Sequence, residues 1–221
     1  MDAKCDGVAF TPRQGKPVEI NALWYHALVL MGENDLAARV KENFAKAFWI
    51  SPFRGLADVV TRNGDGSYNR DNSIRPNQIF AASLPNSPLT PEQQSAVVEV
   101  VRRELLTPYG LRTLNKGDAK YKNRYRGPQF VRDETYHNGM VWPWLIGGFL
   151  DAHLRVHDNN PDAQAQARRW LSPLIEHLSN DACIGSISEI FEAEEPYRPV
   201  GCCAQAWSVA EVLRLAVKIG M

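Results

Sequence analysis

The sequence predicts an all-α protein, a toroid of helical hairpins, and three observations carry that prediction. Apolar residues recur at helical spacing between the chain breakers, as in Leu36, Val40, Phe44 and Phe48. The connections between the resulting helices alternate in length: short near 32–34, 85–90 and 158–160, long over 50–75, 107–138 and 180–201. No strict repeat with a period of 20–50 residues is present, which argues against a regular solenoid. Helices joined by short links pack antiparallel, so every second connection falls at the same end of an up-and-down array. The long loops and the N-terminal segment therefore gather on one rim, and long ordered loops usually carry function.

In chain order, residues 1 to 17 read as loop, punctuated by Gly7, Pro12, Gly15 and Pro17. A helix is predicted from Val18 to Met31, with Val18, Ala22, Tyr25 and Val29 on one side, and Gly32 ends it. Asn34 or Asp35 caps a second helix to Trp49, which Pro52 stops. Val59-Val60-Thr61 followed by Asn63-Gly64-Asp65-Gly66 predicts a short hairpin. Pro76 to Leu84 is expected to be a short apolar helix. Thr90-Pro91-Glu92-Gln93 combines an N-cap Thr, Pro in the first turn and a glutamine three residues after the cap. Its helix should run to Leu106 with Val97, Val100, Val101 and Leu105 inward.

The stretch Tyr136-His137-Asn138-Gly139-Met140-Val141-Trp142-Pro143-Trp144 is expected to open the next helix, to His157. That places Trp142, Leu145, Ile146, Phe149, His153 and Leu154 on one broad face. Asn160-Pro161 caps another helix to Leu178, with Pro173 kinking it. Residues 180 to 201 read as loop, and Cys202 to Ile219 as the last helix.

Composition excludes several function classes. Lysine plus arginine equals aspartate plus glutamate at 25 each, with no basic run, so nucleic acid has no electrostatic footprint. No stretch reaches the ~18 apolar residues of a membrane span, so no membrane partner is expected. Met1 to Asp6 lacks the apolar core of a signal peptide. Cys5, Cys183, Cys202 and Cys203 have no zinc or disulfide-framework spacing, which suits reduced thiols in a cytoplasmic protein. His153 and His157 have metal spacing but no glutamate partner or third ligand, so no metal is expected. Ser186 and Ser188 lack the nucleophile-elbow glycines.

The rim loops carry Asp2, Arg13 and Glu19; Asp71, Arg75 and Asn77; Arg112 and Tyr125; Tyr136, His137 and Trp142; and Glu189, Gln205 and Trp207. Indoles stack on the apolar faces of sugar rings, and short polar side chains bind their hydroxyls. Glycoside hydrolysis needs two carboxyl groups flanking the bond. Asp2 and Glu189 are the favoured pair, being on different loops at the same end, although Glu19, Asp71 and Glu134 also qualify. Glu192, Glu194 and Glu195 read as a solvated face.

Several of these segments have the residues of a known family. Met1-Asp2-Ala3, Thr11-Pro12-Arg13-Gln14-Gly15-Lys16-Pro17-Val18-Glu19, Arg75-Pro76-Asn77-Gln78, Tyr109-Gly110-Leu111-Arg112, Tyr136-His137-Asn138-Gly139 and Ser188-Glu189-Ile190 with Gln205-Ala206-Trp207-Ser208 occur in the family's order. They resemble the C-terminal catalytic domain of glycogen debranching enzymes, the amylo-alpha-1,6-glucosidase domain, a six-hairpin, (α/α)6 glycosidase. The resemblance implies hydrolysis of α-1,6-linked glucose stubs with inversion, with no cofactor. It matches the family's acid, in a Trp-Met-Asp motif, to Asp2 and its base to Glu189. It implies that Arg13, Glu19, Arg75, Asn77, Arg112, Tyr136, His137, Trp142, Gln205 and Trp207 hold the sugar. The family domain has further hairpins before its Trp-Met-Asp motif, and the tryptophan is absent here. About seven of twelve helices are thus expected in an incomplete ring, which would bind a missing N-terminal half or self-associate through its open edges. A glucoamylase-like or trehalase-like hydrolase on the same scaffold, or a glucan-binding module without turnover, are the rival readings.

Overall fold

In the computed structural model, which describes residues 3–221, helices alternate with short strands. The helices are α1 (Val18–Leu30), α2 (Asn34–Phe48), α3 (Phe80–Ser83), α4 (Pro91–Leu105), α5 (Gln129–Tyr136), α6 (Ile146–Val156), α7 (Pro161–Asn180) and α8 (Ala206–Ile219). The strands are β1 (Lys4–Cys5), β2 (Val8–Ala9), β3 (Lys16–Pro17), β4 (Trp49–Ser51), β5 (Gly55–Leu56), β6 (Val59–Arg62), β7 (Tyr68–Asp71), β8 (Leu106–Thr107), β9 (Gly110–Arg112), β10 (Val141–Trp142), β11 (Ile190–Phe191) and β12 (Pro199–Val200).

Helices α1, α3, α6 and α8 form a row in which each packs on the next. Helix α2 packs on α1, α4 on α3 and α6, and α7 on α6 and α8. This is the hairpin arrangement expected from the short links. One large cluster of buried residues joins these helices to the strands, with Phe149, Phe191, Leu105 and Leu145 at most 1% exposed. Burying each such side chain stabilises the fold by about 1.5–3 kcal/mol. No helix among the described residues is long and apolar enough to cross a membrane.

Local signals decide the helix ends. Thr90 Oγ1 accepts from Gln93 N at 3.3 Å, and the Gln93 side chain accepts from Thr90 N at 3.1 Å, so the predicted capping box forms. Asn160 Oδ1 accepts from Ala163 N at 2.9 Å at the head of α7. Gly220, at φ 68°, closes α8 in the left-handed conformation.

The structure departs from the sequence reading in the long connections. Residues 107–138 contain α5 and β9, and 180–201 contain β11 and β12. Such short strands lack a periodic pattern because they are too short to show one. Trp142 lies on β10, not on a helical face, because Pro143 starts a 3-10 turn that delays the helix to Ile146. The predicted helix over Pro76–Leu84 divides into a 3-10 turn, Pro76–Ile79, and α3. The last helix begins at Ala206, after an irregular Cys202–Gln205 segment. The predicted hairpin forms as β6 and β7, and β3 pairs with β6 on its other edge.

The outward faces of the end members of the helix row stay apolar and uncovered. On α1 these are Ile20, Leu23 and Trp24; on α8 they are Leu213 and Val217.

Candidate active site

A five-stranded antiparallel sheet, in the order β12-β11-β10-β9-β8, ties together loops that are far apart in sequence. Val141 pairs with Phe191 on one side and Arg112 on the other. That register fixes Glu189, the residue before β11, beside the loop that precedes β10. The loop needs Gly139: its φ is 149°, and a Cβ there would meet the Lys122 carbonyl oxygen at 1.9 Å.

Glu189 is half-buried and fully engaged. Its Oε1 accepts from the Tyr136 hydroxyl at 2.5 Å and from Gln205 Nε2 at 3.4 Å, and its Oε2 accepts from the Cys202 backbone N–H at 3.0 Å. The Glu189 backbone N–H in turn donates to the Cys202 carbonyl at 2.8 Å. Gly201, at φ 74°, allows this approach, since a Cβ there would stand 2.6 Å from Glu189 Oε2. Burial, then the bond to Glu189, push the Tyr136 phenol well above its ordinary pKa. Tyr136 therefore remains a donor at any physiological pH, and the carboxylate keeps a fixed orientation. It opens on a cleft of about 750 Å³ lined by Tyr125, Arg126, Arg132, Arg198 and Cys202 among others.

An aromatic chain continues from this carboxylate. His137 stacks on Trp142 with centroids 5.3 Å apart, Trp142 meets Trp207 edge-on at 5.9 Å, and Trp207 stacks on Trp144 at 5.2 Å. Trp207 is 44% exposed and can offer a face to a sugar, whereas Trp142 is buried and donates its Nε1–H to the Tyr136 carbonyl at 3.2 Å. His137 is buried too, and its Nδ1 has no hydrogen-bond partner. Burial, helped by the charge of Arg75, lowers its pKa to about 3, so the ring is neutral.

Four further predicted residues gather around Asp58, a buried carboxylate that no motif singled out. Arg13 Nε donates to Asp58 Oδ2 at 2.8 Å, and its other nitrogens reach Glu19 at 2.5 and 2.7 Å. Asn77 Nδ2 donates to Asp58 Oδ1 at 3.2 Å. Arg75 binds the carbonyls of Thr113 at 3.0 Å and His137 at 2.6 Å, and Asn138 Oδ1 at 3.1 Å. Arg13, Arg75, Asn77 and His137 share a crevice of about 20 Å³, so this cluster adjoins the aromatic chain.

Not every predicted residue arrives at the cleft. Arg112 is 7% exposed and spends its donors on Ala193 O at 3.0 Å, Leu106 O at 3.4 Å and Tyr197 Oη at 3.4 Å, so it ties the sheet together instead. Asp2 lies outside the described residues. Glu192, expected on a solvated face, is fully buried: β11 carries it inward, where Arg124, Arg126 and Arg198 bind it. Of the alternative carboxylates, Glu19 is held by Arg13 and Glu134 pairs with Lys122 at 3.4 Å. His153 and His157 stand with centroids 4.7 Å apart, His153 packing against Phe149 and Trp170 in the core. Asp58 and Gly201 were missed. An aspartate before Val59-Val60 has no spacing signature, and Gly201 acquires its meaning only when Glu189 folds against it.

A glycogen debranching enzyme of Saccharomyces cerevisiae is 26% identical across 73% of this chain, and the chain spans about 13% of that relative's length. Neutral trehalase from Saccharomyces cerevisiae superposes with a TM-score of 0.55 at 17% identity, over 84% of this chain and 30% of the trehalase, a likeness of fold. The family model described as amylo-alpha-1,6-glucosidase matches residues 1–214, and the chain belongs to that family.

Proposed function

We propose that this chain is the base-bearing part of a glycoside hydrolase that removes α-1,6-linked glucose stubs from branched α-glucans such as glycogen or limit dextrin, with inversion. The observation that carries this reading is the setting of Glu189, a carboxylate oriented by Tyr136, Gln205 and the Cys202 amide at the wall of an open cleft. In this mechanism Glu189 takes a proton from a water, and that water attacks the anomeric carbon from the face opposite the leaving oxygen. Asp2, matched to the family's acid, protonates the leaving oxygen. In an inverting pair the two carboxyl groups stand about 6.5–9.5 Å apart, which leaves room for the water. Trp207 gives the sugar an apolar platform, and the Arg13, Glu19 and Asn77 cluster around Asp58 forms the polar floor beside it. No cofactor takes part.

The helix row is read as an arc of an (α/α)6 toroid, with α1 and α8 at its open ends. Further hairpins, from the same polypeptide or another, complete the ring there. The four free cysteines fit a cytoplasmic setting. The test is glucose release from a branched limit dextrin, by the chain alone and with the preceding hairpins of a debranching enzyme supplied, followed by NMR of the anomer first formed. Inverted β-glucose supports the reading. A retained α-anomer, or no turnover with the ring completed, overturns it.

A further inference from the structure

The cleft beside Glu189 is more cationic than a neutral sugar requires. Arg126, Arg132 and Arg198 line it together with Glu189. Behind that wall Glu192 is fully buried, and its Oε1 accepts from both Arg126 Nε and Arg198 Nη2 at 3.2 Å. Its Oε2 accepts from Arg124 Nη1 at 3.2 Å. Two guanidinium nitrogens that share one oxygen stand within twice that distance of each other, so Glu192 holds Arg126 and Arg198 side by side. Burial alone would raise the Glu192 pKa; the Arg126 bond and the charge of Arg198 outweigh it, and the carboxylate stays ionised. Each guanidinium keeps nitrogens that Glu192 does not use. Arg132 makes no side-chain hydrogen bond or ion pair among the described residues, and its neighbour Asp133 accepts from Gln129 at 3.4 Å. Glu194 is occupied by Lys116 at 3.3 Å and Asn123 at 3.1 Å. The Gln129 amide leaves the Asp133 charge in place, so four arginines meet three carboxylates, Asp133, Glu189 and Glu192, and the wall keeps a net positive charge of one.

We propose that this wall is a phosphate-monoester subsite. It takes a sugar phosphate unit with the phosphate against Arg126, Arg132 and Arg198 and the sugar toward Glu189, an assignment that rests on the glucan-site reading above. The planar guanidinium matches two phosphate oxygens at once, which a neutral hydroxyl cannot exploit. The same chemistry is offered by a phosphate ester on a glucan chain and by a free sugar phosphate.

Calorimetric titration of the chain at low salt with glucose, glucose 6-phosphate, inorganic phosphate, and maltooligosaccharide with and without a 6-phosphate ester tests the proposal. Glucose 6-phosphate should bind about tenfold or more tightly than glucose, and added salt should shrink that preference. Arg132→Gln, which leaves the Glu192 anchor intact, should reduce the preference severalfold, and Arg198→Gln should do the same, with melting curves checking the fold. Stronger binding of the phosphorylated maltooligosaccharide than of free glucose 6-phosphate identifies the glucan ester as ligand; the reverse identifies the free sugar phosphate. Normal binding of neutral maltooligosaccharide with no phosphate preference would overturn this inference and leave the glucan reading standing. Arginine-dependent binding of inorganic phosphate with no sugar bound would overturn the sugar phosphate assignment. Equal binding in wild type and both variants would also overturn it.

Discussion

Acidification from pH 7.5 to pH 5 should destabilise this protein through its buried histidines. His137 is 7% exposed, stacked on Trp142 and met edge-on by Tyr136, with its Nδ1 unpartnered. His153 is 2% exposed, packed on Phe149 and Trp170, with its Nε2 unpartnered. Burial lowers their pKa values from 6.5 to about 3 and about 4. Each folded-state value is depressed, so each ring's contribution is complete above the unfolded pKa of about 6.5 and is lost as the pH falls toward the folded value. At pH 5 both rings are still neutral in the fold, while the unfolded chain has gained their protons. The gap of about 1.5 units corresponds to about 2 kcal/mol per ring, about 4 kcal/mol for the pair. That is a large part of a typical domain stability of about 5–15 kcal/mol. Burial lowers His177 as well, against the opposing charge of Asp181, and adds in the same direction. Urea unfolding at pH 7.5 and pH 5.0 measures the difference. His137→Phe and His153→Phe keep an aromatic ring without a proton, and each should remove about 2 kcal/mol of it. A difference under about 1 kcal/mol in the native protein, or one unchanged in the double variant, would refute the reasoning.

Three further outcomes are expected. Glu189→Gln should lower kcat by roughly 10²–10⁴ with sugar binding kept, and Tyr136→Phe should lower it less, by roughly tenfold to a hundredfold; unchanged kcat for Glu189→Gln moves the base elsewhere. Asp58→Ala leaves Arg13 with Glu19 alone and should cost about 1.5–3 kcal/mol, a fall in Tm of about 3–12 °C by calorimetry; a Tm within about 2 °C of wild type would show that Glu19 alone suffices to hold Arg13. The uncovered apolar faces of α1 and α8 should make the chain associate with rising concentration, and Leu213→Glu with Val217→Lys should weaken that association in sedimentation velocity; a monodisperse native monomer would contradict it.

The sequence by itself determined the helices other than α5, and most of their ends. Spacing of Leu36, Val40, Phe44 and Phe48 and the Thr90–Gln93 box are local signals, and local signals act on the residues that carry them. The resemblance carried by Tyr136-His137-Asn138-Gly139 and Gln205-Ala206-Trp207-Ser208 pointed to the right family. Only the tertiary structure decided what each polar side chain does. Arg112, on β9, and Glu192, just after β11, both looked like loop residues, and both are buried, because strands of two or three residues are formed by their partners across the sheet and not by their own pattern. Asp58 joined the site for the same reason: its role depends on Arg13, forty-five positions away, and a contact between distant residues leaves no periodic trace in the chain. Apolar spacing records which side of a helix is covered, while hydrogen bonding between distant loops is settled only when the sheet brings their donors and acceptors within reach.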